Sequence, residues 1–307
     1  MEFLRFLEGL RSAPLDAFFS AVTHLGSTAG FIVLATVLFW CVSKRAGYYL
    51  FAVGLGGTVV SQWLKLAFRV PRPWVLDPGF TIVESARAGA GGYSFPSGHT
   101  QISVGSFGVI AVTARRTWAR ALCALFILLV PFSRMYLGVH TPLDVGTAFV
   151  LAALLVAALY PCFRDDERFS RAGPFVLAGM AALALAYVVW VRTASFPADI
   201  DPDNLAEGVK NGWALLGATL GLGLSYWYDE TRLRFDIAAP LPGQAAKAAL
   251  GLAAIMAIRA GAKALLQGVA PGAPWADALR YFLMIAFAGC LWPMTFPWFA
   301  RLGKKNT

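Results

Sequence analysis

The chain has 307 residues, 58% hydrophobic and 14% charged, with a formal net charge of +9. A soluble domain averages roughly 45–50% apolar and about 25% charged residues. Composition therefore excludes a disordered protein, a nucleic-acid-binding tail and an ordinary cytosolic enzyme. The mean hydropathy of +0.62 comes from apolar blocks, and a block of about 20 residues spans the hydrocarbon core as a helix. The chain reads as an all-α, polytopic membrane protein, and the excess of Lys and Arg as the loop charge that sets membrane orientation.

Residues 2–11 (EFLRFLEGLR) place Glu2, Arg5, Glu8 and Arg11 on one helical face, opposite Phe3, Leu7 and Leu10. This is either an amphipathic helix on the membrane surface or a solvated surface helix, ended near Ala13-Pro14. Stretches almost free of charge then predict spans near 17–42, 46–65, 98–114, 121–137, 141–161, 174–191, 211–228, 244–264 and 279–300. The eighth is interrupted by Lys247, Arg259 and Lys263. A central charge costs ~2.5–3.5 kcal/mol on insertion scales, so Arg259 needs a partner or a wet cavity. Arg259 and Lys263 either bind a second phosphate or pair with an acid such as Asp277, and pairing is the expectation. The acidic, proline-containing segment 192–210 separates six helices from the last three. It divides the chain into a core, 1–191, and a C-terminal extension, 192–307.

With nine spans, Lys44, Arg45, Arg115, Arg116, Arg120, Arg164, Arg168, Arg171, Arg232, Arg234, Arg301, Lys304 and Lys305 share one side, which the positive-inside rule makes cytoplasmic. The C-terminus is then cytoplasmic, and the loops at 66–97, 138–140, 192–210 and 265–278 face outward. Cys41, Cys123, Cys162 and Cys290 fall near cytoplasmic helix ends with no CxxC or metal-type spacing, so neither a disulfide framework nor a zinc site is expected. No short apolar core precedes a small-residue cleavage site, and no cleavable leader is expected.

Three polar clusters lie at the outward helix ends. The second span closes on Lys65-Leu-Ala-Phe-Arg-Val-Pro-Arg72-Pro73. Pro71 and Pro73 force the chain out of helix, so Arg72 projects from an extended segment beside Lys65. Two such cations suit phosphate oxygens or simply snorkel to the interface. The third span opens on Pro96-Ser97-Gly98-His99. Its free N–H groups make an anion site, Ser97 is also a natural N-cap, and His99 is able to exchange a proton near neutral pH. The third cluster runs Ser133-Arg134 to Gly138, His140, Thr141, Pro142 and Asp144. Gly138 stops one helix and Thr141-Pro142 starts the next, which brings Arg134 near His140. Asp144, four residues after His140, is placed to accept its ring N–H, and Thr141-x-x-Asp144 also resembles a capping box. His24 matches no constellation and reads as a structural histidine. The 74–95 segment is long enough for a lid, although a plain loop is the simpler expectation.

At these residues the chain resembles the type 2 phosphatidic acid phosphatase family, within the superfamily that also holds bacterial acid phosphatases and vanadium haloperoxidases. The family signature K-x6-RP, PSGH, SR-x5-H-x3-D is met by Lys65, Arg72-Pro73, Pro96-Ser97-Gly98-His99, Ser133-Arg134, His140 and Asp144. The resemblance covers roughly residues 17–165. It implies a six-helix phosphatase core, with about three extra C-terminal transmembrane helices lying beyond what the signature supports.

The resemblance further implies His140 as nucleophile forming a phosphohistidine, Asp144 orienting it, and His99 as acid and then base. Lys65, Arg72, Ser97, Gly98 and Arg134 would bind phosphate. No carboxylate cluster points to a metal, and no cofactor is expected. The expected partner is a membrane lipid phosphate (phosphatidate, a phosphorylated glycerolipid, a polyprenyl diphosphate or a long-chain base phosphate), met at the extracytoplasmic edge of the bilayer. A phosphotransferase using the same site is the nearest alternative. An anion or lipid transporter is the next, but transporters usually bind at the midplane on broken helices.

Overall fold

The computed structural model describes residues 1–302; Lys304 and Lys305 of the expected cytoplasmic tail lie outside the described residues. Every described regular element is helical. In chain order they are α1 (Glu2–Gly9), α2 (Ala13–Thr23), α3 (Thr28–Val37), α4 (Lys44–Phe68), α5 (Pro73–Leu76), α6 (Gly98–Thr113) and α7 (Thr117–Tyr136). There follow α8 (Pro142–Phe163), α9 (Asp166–Thr193), α10 (Pro202–Tyr228), α11 (Leu241–Val269), α12 (Trp275–Ala286) and α13 (Phe296–Phe299).

Among the described residues, six helical segments are long and apolar enough to cross a membrane, and a bent pair makes up to seven. The nine expected spans are all helical, but two fall short of that standard for different reasons. α6 has only 16 residues and carries Thr100, Gln101, Ser103 and Ser106 buried within the protein; a helix enclosed by protein does not need a continuous lipid-compatible surface. α10 begins nine residues before the expected start and includes the polar sequence PDNLAEGVKN. The expected first span is the bent pair: residues 13–26 and 28–42 meet at 54°.

The chain forms two compact units that alternate along the sequence. One comprises Met1–Ile32, Gly56–Pro161 and Thr193–Gly208; the other comprises Val33–Leu55, Cys162–Arg192 and the chain from Val209 onward. Most of the segment expected to separate core from extension thus packs within the first unit.

In that first unit, α1 is bound to protein on one side. Leu4 and Leu7 are buried, and Leu4 joins a cluster with Phe19, Phe80, Ile82, Tyr136, Leu137 and Val139. Arg5 pairs with Asp77 at 2.6 Å, Glu8 accepts the Thr81 N–H at 2.8 Å, and Arg11 donates to the carbonyls of Thr81 and Tyr136. The charged stripe read as facing water instead fastens the 77–81 loop, while Phe3, Phe6 and Leu10 stay exposed. The 74–95 segment is consequently a packed connection with Phe80, Ile82, Ala86 and Ala90 buried.

The second unit is held by close helix approach and by buried polar contacts. Trp40 donates its indole N–H to Ala288 O at 2.9 Å, in a π turn (Phe287–Leu291) where Pro293, five residues on, has no N–H to offer. Asp229, buried, pairs with Lys44 at 2.7 Å. Lys247, one of the charges interrupting the eighth span, donates to Ile237 O at 2.9 Å and lies over the Phe296 ring. Asp277 is taken by Arg280 at 2.5 Å, so the expected Arg259–Asp277 pair does not form. Arg280 is three residues from Asp277 on the same helix and reaches it without crossing to another.

On α10, Gly217 and Gly221 lie one turn apart and face α12. A Cβ on Gly217 would sit 1.9 Å from Ala278 O, and one on Gly221 2.9 Å from Phe282 O. Small residues at this spacing let helix backbones touch. Gly223, on the same helix, has nothing within 4 Å of such a Cβ. Gly217→Ala is expected to lower the thermal unfolding midpoint in detergent, because backbone cannot move aside cheaply. Gly223→Ala should leave it unchanged or raise it by the equivalent of about 1 kcal/mol of helix propensity. Equal midpoints for both variants would refute the close approach.

Candidate active site

The three clusters predicted from sequence fall in one compact unit and meet around His140. α4 delivers Lys65 on its last turn. Arg69 then takes a left-handed conformation, φ 48°, and its N–H closes the helix on Lys65 O at 2.9 Å. Pro71 and Pro73 hold the next residues extended, with Arg72 capping the short α5. Gly138, φ 81°, ends the connection from α7, and the chain turns into α8 within four residues. Glycine suits this left-handed φ, and a Cβ would also lie 3.0 Å from the buried Phe80 ring.

His140 is buried. Its Nε2 lies 3.0 Å from Arg72 Nη1. Arginine only donates, so Nε2 is the acceptor and the proton resides on Nδ1. That proton faces Ser94 Oγ at 3.4 Å and Asp144 Oδ2 at 3.6 Å. The second distance is too long for a direct hydrogen bond. Ser94 in turn donates to Asp144 Oδ2 at 2.6 Å, so the imidazole and the carboxylate are linked through a hydroxyl. The direct His140–Asp144 contact expected from their i,i+4 spacing is replaced by this relay, because Oδ2 is already engaged by the Thr141 N–H at 2.7 Å. Thr141 Oγ1 accepts the Asp144 N–H at 3.2 Å, completing the capping box. The capping-box reading of Asp144 is realised, while its link to His140 runs through Ser94. Burial, followed by the charges of Arg72, Arg134 and Lys65 and by His99, depresses the His140 pKa well below its ordinary value.

The cations rest on backbone oxygens. Arg72 donates to the carbonyls of Gly92 at 3.0 Å, Val139 at 3.0 Å and Gly91 at 2.7 Å, and Lys65 donates to Tyr93 O. Arg134 differs. Its Nη1 is bonded to Thr23 Oγ1 at 2.7 Å, while Nε and Nη2 are buried with no partner. These two donors form one edge of the guanidinium, the edge that takes two oxygens of a single anion. Asp144 Oδ1 is also buried without a partner.

Ser97 caps α6, its Oγ accepting from the Thr100 N–H at 3.4 Å and hydroxyl at 3.0 Å. Its own N–H donates to Asp144 O at 3.1 Å, which ties the second cluster to the third. A Cβ on Gly98 would meet nothing within 4 Å, so space lies open before the helix N-terminus. His99 sits one residue further, partly exposed, and its ring lies near Gly89. Beside Arg72, a cavity of about 730 Å³ is lined by Phe68, Arg69, Trp74, Tyr93, Asn204 and Glu207, among others.

All eight sequence-predicted residues thus lie in this unit. Sequence reasoning missed Ser94 and Thr23. Ser94 stands three residues before the cap Ser97, a position that carries no signal, and Thr23 lies 111 residues from Arg134.

A family model described as PAP2 superfamily matches residues 45–168, and a second, described as PAP2 superfamily phosphatase, transmembrane extension, matches residues 213–305. Undecaprenyl-diphosphatase BcrC of Bacillus subtilis (strain 168) is 28% identical over 180 residues, covering 57% of this chain and 86% of that protein. Phosphatidylglycerophosphatase B of Escherichia coli (strain K12) is 27% identical over 178 residues, covering 44% of this chain and 67% of the other. The crystal structure of Aquifex aeolicus LpxE matches with 27% identity and a TM-score of 0.46, over 51% of this chain and 92% of that one. The chain belongs to the PAP2 superfamily of phosphatases, as a multi-pass membrane member that carries the superfamily's transmembrane extension.

Proposed function

We propose that the protein removes a terminal phosphate from a membrane lipid, as a monoester or a diphosphate, through a covalent phosphohistidine. The observation that carries this reading is the unpartnered, buried Nε/Nη2 edge of Arg134, in electrostatic reach of His140. An unpaired buried donor on a charged group is costly, and a phosphate dianion satisfies both atoms at once.

His140 Nε2 is the nucleophile and attacks phosphorus in line with the leaving alkoxide or phosphate. Arg72 now covers that lone pair, so it must exchange Nε2 for a phosphate oxygen as substrate arrives. Asp144, through Ser94, stabilises the proton on Nδ1 as the ring becomes positively charged. His99 protonates the leaving group, then takes a proton from the water that hydrolyses the phosphoenzyme. Lys65, Arg72, Arg134, Ser97 and the Gly98 N–H hold the equatorial oxygens, and positioned donors of this kind supply most of the catalysis in phosphoryl transfer. These cations do the charge neutralisation that a metal performs elsewhere. The relatives' names, an undecaprenyl diphosphatase and a phosphatidylglycerophosphatase, share a phosphate on a long apolar tail, which fits a site at the end of membrane-spanning helices. The basic loops support an extracytoplasmic site and a cytoplasmic C-terminus.

The test is a panel of lipid mono- and diphosphates offered to detergent-purified protein, with phosphate release measured with and without EDTA. Release is expected for at least one of them and is insensitive to EDTA. His140→Ala should abolish both turnover and labelled phosphoenzyme; full activity in that variant overturns the assignment.

The depressed basicity of His140 sets the pH response. A base with a lowered pKa stays unprotonated to lower pH, so kcat/KM, corrected for substrate ionisation, should hold its plateau as pH falls through about 6.5, the ordinary histidine value. It should decline only below that. An acid limb centred above 6.5 contradicts a neutral, shielded nucleophile.

A further inference from the structure

The break in the first span occurs where that span meets the phosphate-binding residues. α2 ends at Thr23, a 3-10 turn covers His24–Gly26, and α3 starts at Thr28. The break has its own hydrogen bonds: Ser27 Oγ donates to His24 O at 2.6 Å and accepts the Gly30 N–H at 3.1 Å. Two site residues touch it. Thr23, buried, accepts from Arg134 Nη1 at 2.7 Å. Gly26 backs onto the start of α6 so closely that a Cβ would lie 2.7 Å from His99 O. Both contacts come from residues outside the segment 45–168 that matches the family.

A guanidinium presents five N–H donors in a rigid plane, and rotating it changes which edge meets an anion. In Arg134, Nη1 is the atom with a protein partner, and the two donors left over share one edge. We infer that Thr23 is a positioning residue, which fixes the Arg134 plane so that its Nε/Nη2 edge receives a terminal phosphate side-on. Without the Thr23 hydroxyl, three buried donors would lack a partner and the plane could turn toward any nearby oxygen. The turn at His24–Gly26 that follows Thr23 is then part of the phosphate site. This inference rests on the phosphatase reading above but is tested separately from it.

The experiment measures orthovanadate affinity by calorimetry on purified protein, together with kcat and KM on a hydrolysed lipid phosphate. It compares the wild type, Thr23→Val, which keeps shape and loses the hydroxyl, and Thr23→Ser, which keeps the hydroxyl. A hydrogen bond to a charged group is worth enough to predict a loss of roughly tenfold in vanadate affinity for Thr23→Val, with KM raised in parallel. Thr23→Ser should restore near wild-type values. Unchanged vanadate affinity in Thr23→Val overturns the inference, as does equal impairment of Thr23→Ser, which would make the methyl group's packing the cause. If Thr23→Val is not recovered as monodisperse protein, Thr23→Ala replaces it under the same criteria. A wild type that binds vanadate yet releases no phosphate from any lipid sinks the phosphatase reading and leaves this inference to the variants. A wild type that does not bind vanadate overturns both.

Discussion

Lys65, Arg72 and Arg134 are buried in one compact unit, and among the described residues Asp144 is the one carboxylate there buried as deeply. Burying a charge without a partner is among the most unfavourable things a fold can do. The protein offsets it by several routes. Backbone carbonyls of residues 91–93 and 139 receive the donors of Lys65 and Arg72. Thr23 receives one donor of Arg134, and the rest of that guanidinium is left unsatisfied. The arrangement makes sense for a site completed by a dianion, and much of the surrounding fold serves to hold these cations in place.

The supports reach well beyond the signature. α1 fastens the 77–81 loop through Arg5 and Glu8. Tyr93, whose carbonyl takes the Lys65 ammonium, is held from its other end by the Asp201 N–H at 3.3 Å. Glu207 packs against Gly91 and Gly92, the two residues whose carbonyls receive Arg72. The segment 193–208 looks like a linker by composition, yet it steadies the strip of backbone on which Lys65 and Arg72 rest.

How much of this was legible follows from the range of each interaction. Proline, glycine and capping residues act within a few positions, so the ends of α4, α6 and α7 and the capping box at Thr141 and Asp144 could be read directly. Periodicity located the helices but not the bend, because residues 17–42 contain no proline and no Asp, Glu, Lys or Arg. The pair Gly26-Ser27 was the available sign, since glycine and serine together are a known site of helix breaks. Ser94 and Thr23 could not be read at all. Their roles arise from contacts 50 and 111 residues away in sequence, and neither residue type is unusual where it stands. α6 shows a related limit: whether a helix faces lipid or protein depends on its neighbours, which composition does not reveal.

On the proposed mechanism the Arg72 guanidinium, 3.0 Å from His140 Nε2, sheathes the attacking nitrogen until something draws the arginine off. A group bearing two negative charges competes better than one bearing a single charge for that arginine against three carbonyls and an imidazole. The phospholipids that surround a membrane enzyme are diesters with one charge on each phosphate. On the proposed mechanism they brush past the site in vast excess without uncovering the nucleophile, and the bilayer's own fabric is spared by a charge threshold rather than by the shape of its headgroups.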